Sequence, residues 1–524
     1  MVFRCFIFFI LLISCSVKGQ LIDSLITFKD LDFKNETERQ AFNKFSEKNK
    51  ASYLPLFMCS FNGSTGYNLK EAQRRIDECV ATIKKETEGK TEAKQVKYVY
   101  QYIHKHFFST YKLRNSFCDI FIKGEYNCVS ASALYAIVFN LLDIPFQVME
   151  APRHVFLIAY PNSHRILIES TSPEDGYNAY SESYVEKYVR SLYASKLISK
   201  EDFETKPLRQ LFEKYYYSSS DVSLKQLAGI QYSNYGIYYM DDQEYDKGSS
   251  EFKKAYFLNP DERGKYLLRS SLATLIDNNN YKRMEDVRNL SLLCRYNNGG
   301  DVDVNTEYIK NQFYRLVEAQ LIENSDYEKF DKSFLLLEKN IKDTLLKNEI
   351  AFAYHYELGR LGYVNLKSAT YIMEHFQGAY LLKPGHANLQ TMIIAYLGQR
   401  LEKDEQITTI VKLMEEFAKK FDFVNSNKHF LGVKANCFLE QAYQSFAFGD
   451  LTKGEMYLKD FERLYSTDSE KQIEPKTYYI EKAYSEGAGI YYKKGNRSKS
   501  KQLLQKGLTY APESYALRIR LEQL

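Results

Sequence analysis

Three residues of this 524-residue chain have the types and order for nucleophilic chemistry: Cys128, His154 and Glu169. A thiol, then an imidazole, then a carboxylate is the set of a nucleophile, its base and the group that orients the base. A free thiol titrates near about 8.5, so near neutral pH most of it is protonated and less nucleophilic. A helix N-terminus stabilises the thiolate through its unpaired N–H groups and positive dipole end. A neighbouring imidazolium stabilises it further and later protonates a leaving amine. A carboxylate beyond the ring fixes its tautomer and orientation. The implied reaction is attack on an acyl carbon, a thioester intermediate, and release to water or an amine. The backbone N–H of Cys128 is one oxyanion donor. Tyr126 and Asn127 are the candidates for the second.

The elements that must position these groups are written in residues 124–173. Cys128 opens a run in which Leu134, Ile137, Val138 and Leu141 share one helical face. The first turn, Ser130 to Ala133, is small enough for close approach by neighbours, and residues 143–145 end the helix. Three apolar, β-branched runs follow, 146–150, 155–160 and 165–170, with turn chemistry at 161–164. The last two runs form a hairpin. A four-residue loop pairs Tyr160 with Arg165, sets Phe156 opposite Glu169 and leaves His154 diagonal to it. A two-residue loop sets His154 directly opposite. Both keep the pair on one face and in reach, whereas an odd-length loop would separate them.

The boxes NCVSASALY, PRHVFLIAY and ILIESTSP resemble the Cys, His and Asp boxes of the transglutaminase-like superfamily of bacterial proteins. The resemblance covers roughly residues 70–215. It implies a papain-like α+β fold, a cysteine-bearing helix packed on an antiparallel sheet. It assigns Cys128 as nucleophile, His154 as base and Glu169 in place of the usual aspartate. The chain departs from the pattern in having glutamate there and in having no tryptophan at all. Tryptophan often assists the oxyanion in true transglutaminases, so its absence argues against protein cross-linking and for hydrolysis.

Elsewhere the composition is that of an ordinary globular protein, with 26% charged and 44% apolar residues. The net charge of +4 balances 71 basic against 67 acidic residues, which gives no basis for a nucleic-acid or anionic-membrane partner. Residues 1–19 read as an export signal, with Arg4 followed by the apolar run FIFFILLI, too short to span a membrane. Cleavage after Gly19 exposes Gln20; alternatively Leu12 to Cys15 resembles a lipobox, which makes Cys15 a lipidated residue and the anchor to a membrane surface. The expected location is periplasmic, or the outer membrane or cell surface if lipidated. Six cysteines remain after the signal, without metal-ligand spacing, and no cofactor or metal is expected. Cys118 lies close enough in sequence to pair with Cys128 and mask it. Helical stripes run through Ile76, Cys79, Val80 and Ile83, and through Val96, Val99, Tyr100, Ile103 and Phe107; His104 and His106 lie off the stripe and are expected to be solvated.

The second half has helical periodicity throughout. Residues 229–262, with Tyr232, Tyr235, Gly236, Tyr239, Gly248, Phe252, Ala255 and Pro260, fit a 34-residue tetratricopeptide unit. Two further units end at Pro384 and Pro512, and the stretches 304–350 and 387–465 between them are degenerate. Residues 297–301 read as a loop with no closing carboxylate for calcium. The expected organisation is a signal at 1–19, a transglutaminase-like domain at 20–217 and an all-α tetratricopeptide-like array at 218–524. The array would recruit a protein or peptide partner to a cysteine-dependent amide hydrolase or acyl transferase. The rival expectation is an inactive scaffold whose array alone does the binding.

Overall fold

The computed structural model describes residues 25–59, 69–171, 182–216, 220–296, 304–402, 406–467 and 473–524. The export signal with Cys15 and the loop at 297–301 lie outside the described residues. The chain is mostly helical, with two small sheets among the described residues, and forms two compact units, Met1–Tyr296 and Asn297–Leu524.

The first unit opens with α1 (Glu36–Lys44), α2 (Tyr53–Met58), α3 (Leu69–Thr87) and α4 (Glu92–Phe107). In α3 and α4 the buried residues Ile76, Cys79 and Ile83, and Val96, Val99, Ile103 and Phe107, recur at the 3–4-residue spacing of one helix face. A short parallel pair, β1 (Thr110–Tyr111) with β2 (Glu125–Tyr126), encloses α5 (Asp119–Lys123). Gly124 ends α5 at φ +68°, a backbone conformation that glycine adopts without a Cβ clash. Then come α6 (Cys128–Leu141), β3 (Phe146–Ala151), β4 (His154–Ala159) and β5 (Ile166–Ile168). The unit continues with α7 (Glu182–Ala194), α8 (Lys200–Thr205), α9 (Leu208–Tyr216), β6 (Ser220–Val222), α10 (Leu224–Asp241), α11 (Tyr245–Leu258), α12 (Glu262–Asp277) and α13 (Met284–Tyr296).

The strand order is β5-β4-β3-β6, antiparallel throughout. One face carries Phe156 and Ala151 into a core with Val185, Val189 and Leu192 of α7 and Leu211 and Phe212 of α9. The other face packs on α6. Sequence periodicity gave α6 a single apolar face, but every residue from Val129 to Phe139 is buried. The sheet lies on one side of this helix, and α2, α3 and α10 also pack on it. Ala131, Ser132, Ala133 and Ala136 have 0% exposure, and their small side chains let these elements close in. Each large α6 side chain so enclosed contributes about 1.5–3 kcal/mol of hydrophobic stabilisation.

The compact division falls at Tyr296 rather than at the expected boundary after residue 217. Two links carry the chain across that boundary. β6 completes the sheet by pairing with β3, with Val148 opposite Val222, and α10 packs on α2 and α6. The first expected repeat is the hairpin α10–α11, and it belongs with the Cys128 unit. A Cβ at Gly236 would come within 2.7 Å of the Phe252 ring, so glycine is what allows the two helices to close.

The second unit is helical: α14 (Thr306–Val317), α15 (Tyr327–Asn340), α16 (Thr344–Val364), α17 (Ala369–Leu382), α18 (Ala387–Glu402), α19 (Ile407–Lys420), α20 (Lys428–Ala447), α21 (Leu451–Thr467), α22 (Thr477–Lys493), α23 (Arg497–Tyr510) and α24 (Tyr515–Glu522). The two expected later repeats are the hairpins α16–α17 and α22–α23. The stretch read as degenerate holds a further hairpin, α20–α21, where a Cβ at Gly454 would meet Phe446 at 2.4 Å.

Candidate active site

Asn127 starts α6 and so places Cys128. Its backbone is extended (φ −131°, ψ −177°), and its side-chain oxygen accepts the N–H groups of Val129 and Ser130 at 3.0 and 2.9 Å. Ser130 Oγ returns the favour by accepting the Asn127 N–H at 3.0 Å. This reciprocal cap fixes the first turn and sets the Cys128 side chain at the positive end of the helix. Among the described residues the Cys128 N–H has no hydrogen-bond partner. Neither Cys128, which is half-buried, nor Cys118, which is buried, is in a disulfide. The masking disulfide between them is not formed. Burial pushes the thiols of Cys59, Cys79, Cys294 and Cys437 up to about 12, which leaves them unreactive.

His154 begins β4 directly after a two-residue turn. Ala151 pairs with His154 across it, Pro152 fixes one φ, and Arg153 sits at φ +63°. A non-glycine residue in that conformation costs about 1–2 kcal/mol, a strain stored one residue from the imidazole.

The second hairpin follows the four-residue-loop register. Ala159 pairs with Ile166 and Leu157 with Ile168, while Tyr160 O accepts the Arg165 N–H at 2.9 Å. Continued by one residue, this register sets Phe156 opposite Glu169 and His154 diagonal to it. The longer glutamate side chain closes the diagonal, and His154 Nε2 lies 2.7 Å from Glu169 Oε2. A glutamate, one methylene longer than an aspartate, is therefore suited to this register.

Glu169 is 1% exposed and its carboxylate is saturated. Oε2 accepts from His154 Nε2, from the Tyr184 hydroxyl at 2.8 Å and from the Tyr216 hydroxyl at 3.1 Å. Oε1 accepts from the Thr171 N–H at 3.1 Å and its hydroxyl at 2.6 Å. Burial alone would raise the carboxyl, but the His154 charge and the His154, Thr171 and Tyr184 hydrogen bonds outweigh it and hold it near about 2. An ionised carboxylate only accepts, so Nε2 must carry a proton. Nδ1 is then the nitrogen left for Cys128, which stands near enough to help raise the ring. Burial disfavours the imidazolium, yet the Glu169 charge and the Cys128 contact more than offset it and raise His154 to about 10. His154 therefore stays protonated through neutral pH, with Glu169 on one of its nitrogens.

Sequence reasoning missed Tyr184, Tyr216 and Thr171. Tyr216 stands one residue before the expected domain boundary, yet it is 0% exposed, with its ring stacked 4.5 Å from that of Phe156. Thr171 carried a legible signal, since a Thr two residues after a carboxylate can donate its N–H and hydroxyl back to it. Asn127 is committed twice over, because its Nδ2 also donates to Leu113 O at 3.0 Å. Tyr126 is 4% exposed with its ring stacked on Phe108 at 4.3 Å.

His104 is not solvated as expected. It is half-buried, 4.4 Å from Tyr100 and 5.2 Å from Phe108, and its buried Nε2 has no partner among the described residues. Burial lowers it to about 4, so it is a neutral ring of an aromatic cluster beside α6. The i,i+4 spacing of Tyr100, His104 and Phe108 extends the α4 stripe by one edge. His106 is exposed. Compared with protein-family models and with curated proteins the sequence gives no match, so the geometry around Cys128 carries the functional reading.

Proposed function

We propose that the chain is an exported cysteine-dependent amide hydrolase or acyl transferase with a papain-like, transglutaminase-like catalytic domain. The observation that carries this reading is the saturated Glu169 carboxylate. A glutamate buried to 1% exposure and held by five donors costs several kcal/mol in desolvation. A packing role would be served by an apolar residue. Orienting and charging His154 against Cys128 accounts for the expense.

The reaction follows from the groups present. The Cys128 thiolate adds to the amide carbon, and the carbonyl oxygen takes up the displaced electron pair as an oxyanion. The oxyanion collapses, the C–N bond breaks, and His154 Nδ1–H protonates the departing amine. Neutral His154 then takes a proton from water as the water oxygen adds to the thioester carbon. The C–S bond breaks, the acid leaves, and the thiolate–imidazolium pair is restored. An amine in place of water gives acyl transfer by the same steps.

A partner-binding role for the helical second unit has its own support. A groove of about 1000 Å³ there is lined by Lys428, Gly432, Asn436, Glu440 and Gln444, spaced four apart on one face of α20, and by Lys482 and Tyr478 of α22. Gly398 and Gly432 also line it, and no side chain approaches either: a Cβ at 398 would meet nothing within 4 Å, and one at 432 only Glu474 O at 3.7 Å. Helical glycines cost about 0.5–1 kcal/mol each, and packing within the unit does not require these two. They keep the groove floor open for an extended peptide. The same groove favours the rival scaffold reading. The apolar run at residues 6–13 and Cys15 support export, with or without a lipid anchor.

Incubation with p-nitrophenyl acetate followed by peptide mass spectrometry tests the enzyme reading. Acetyl on Cys128 alone, absent in His154→Ala, supports it. Acetylation spread over surface lysines with none on Cys128 leaves the scaffold.

A further inference from the structure

Acyl transfer needs two donors for the oxyanion, and the Cys128 N–H supplies one. Four side chains stand near the start of α6. Asn127 spends its amide on the helix cap and on Leu113 O. Tyr238 of α10 gives its hydroxyl to Leu113 O at 2.8 Å. Tyr126 is buried and stacked on Phe108. Tyr111 differs from all three: it is 46% exposed, and its hydroxyl has no hydrogen-bond partner among the described residues.

Backbone geometry brings Tyr111 to the cysteine. β1 and β2 run parallel with Tyr111 beside Tyr126, a register fixed by the Lys112 N–H donating to Tyr126 O at 2.8 Å. The two rings meet edge-on, with centroids 5.9 Å apart. Asn127 is extended, so Cys128 projects to the same side of the chain as Tyr126. Neighbouring strands lie about 4.8 Å apart and two residues advance about 6.6 Å, which sets Tyr111 roughly 8 Å from Cys128 between Cα atoms, within reach of a phenol. Partial burial and the charges of Cys128 and Glu169 push the Tyr111 phenol well above its ordinary value. It therefore keeps its proton through neutral pH.

We propose that Tyr111 is the second oxyanion donor, its hydroxyl hydrogen-bonding the carbonyl oxygen as the Cys128–carbon bond forms. This rests on the thioester reading above. With p-nitrophenyl acetate as probe, the thiolate adds to the carbonyl carbon, the oxygen takes the electron pair, and Tyr111 and the Cys128 N–H receive it. The C=O re-forms as p-nitrophenolate leaves with its bonding pair. Iodoacetamide alkylation of the same thiolate displaces iodide at a saturated carbon and builds no oxyanion.

The test measures both rates on full-length protein, wild type and Tyr111→Phe. The expected result is acetylation slowed about 100-fold or more, the usual effect of losing one donor, with alkylation unchanged. The proposal is overturned if acetylation is unaffected, or if both rates fall together, which marks a structural role. A wild type whose Cys128 is neither acetylated nor rapidly alkylated overturns the thioester reading and this proposal with it. A Tyr111→Phe protein that loses its fold also loses the rapid alkylation and falls back to the rate of an ordinary free thiol, so it falls in the structural outcome.

Discussion

His154 Nε2 lies 2.7 Å from Glu169 Oε2, and four further hydrogen bonds hold the carboxylate in place around that contact. The imidazole is thus gripped from behind by a charge that can neither rotate nor pick up a proton near neutral pH. Its other nitrogen is left to the thiol at the start of α6.

Glu169→Gln keeps the shape of this grip and removes the charge. The imidazolium then loses the strongest of the interactions that offset its burial. The His154 titration, followed by NMR of the ring carbons, should fall from about 10 in the wild type toward or below the ordinary value near 6.5 in the variant. A wild-type ring that already titrates near 6.5 contradicts the assignment. Alkylation of Cys128 near neutral pH should slow at least tenfold in the variant, since less thiolate persists.

The same shifts set a pH window for stability. His154 titrates higher when folded, so its contribution is complete below about 6.5 and is lost as pH rises through about 10. Glu169 titrates lower when folded, so its contribution is complete above its ordinary value of 4.5 and is lost as pH falls through about 2. Both are complete between about pH 4.5 and 6.5. Urea unfolding of wild type and His154→Gln should show the widest gap there, narrowing toward pH 10 and toward pH 2. A gap that widens with rising pH contradicts it.

Two classes of helical glycine should respond oppositely to alanine. At Gly454 the new methyl meets Phe446, and unfolding should show a loss of about 1–3 kcal/mol. At Gly432 the methyl enters the open groove with only a backbone oxygen at 3.7 Å. Helix propensity then gains about 0.5–1 kcal/mol, read as a higher urea midpoint. Destabilisation at Gly432 would show that the groove floor is closed by packing.

Much of the site was legible because its determinants are local. The α6 start, the hairpin turn at 161–164 and the alternation that puts His154 and Glu169 on one face each depend on neighbours in sequence. The turn at 161–164 left a four-residue and a two-residue loop both open, and the pairing of Ala159 with Ile166 decides between them. What was not legible comes from afar. Tyr184 and Tyr216 reach Glu169 from α7 and α9, and nothing near them in sequence marks a carboxylate partner. The all-round burial of α6 and the inclusion of α10–α11 in the first unit reflect tertiary packing that periodicity does not encode. His104 was misjudged because an imidazole off the main stripe can still be covered by aromatic neighbours from other elements.

The most direct test of a live thiolate–imidazolium pair is the pH dependence of Cys128 alkylation by iodoacetamide, resolved by peptide mass spectrometry, in wild type and His154→Ala. The account predicts fast alkylation well below pH 8.5, the titration point of a free thiol of about 8.5, and a large loss of that rate without His154. Slow alkylation that titrates at or above the free-thiol value, and is indifferent to His154, would contradict it.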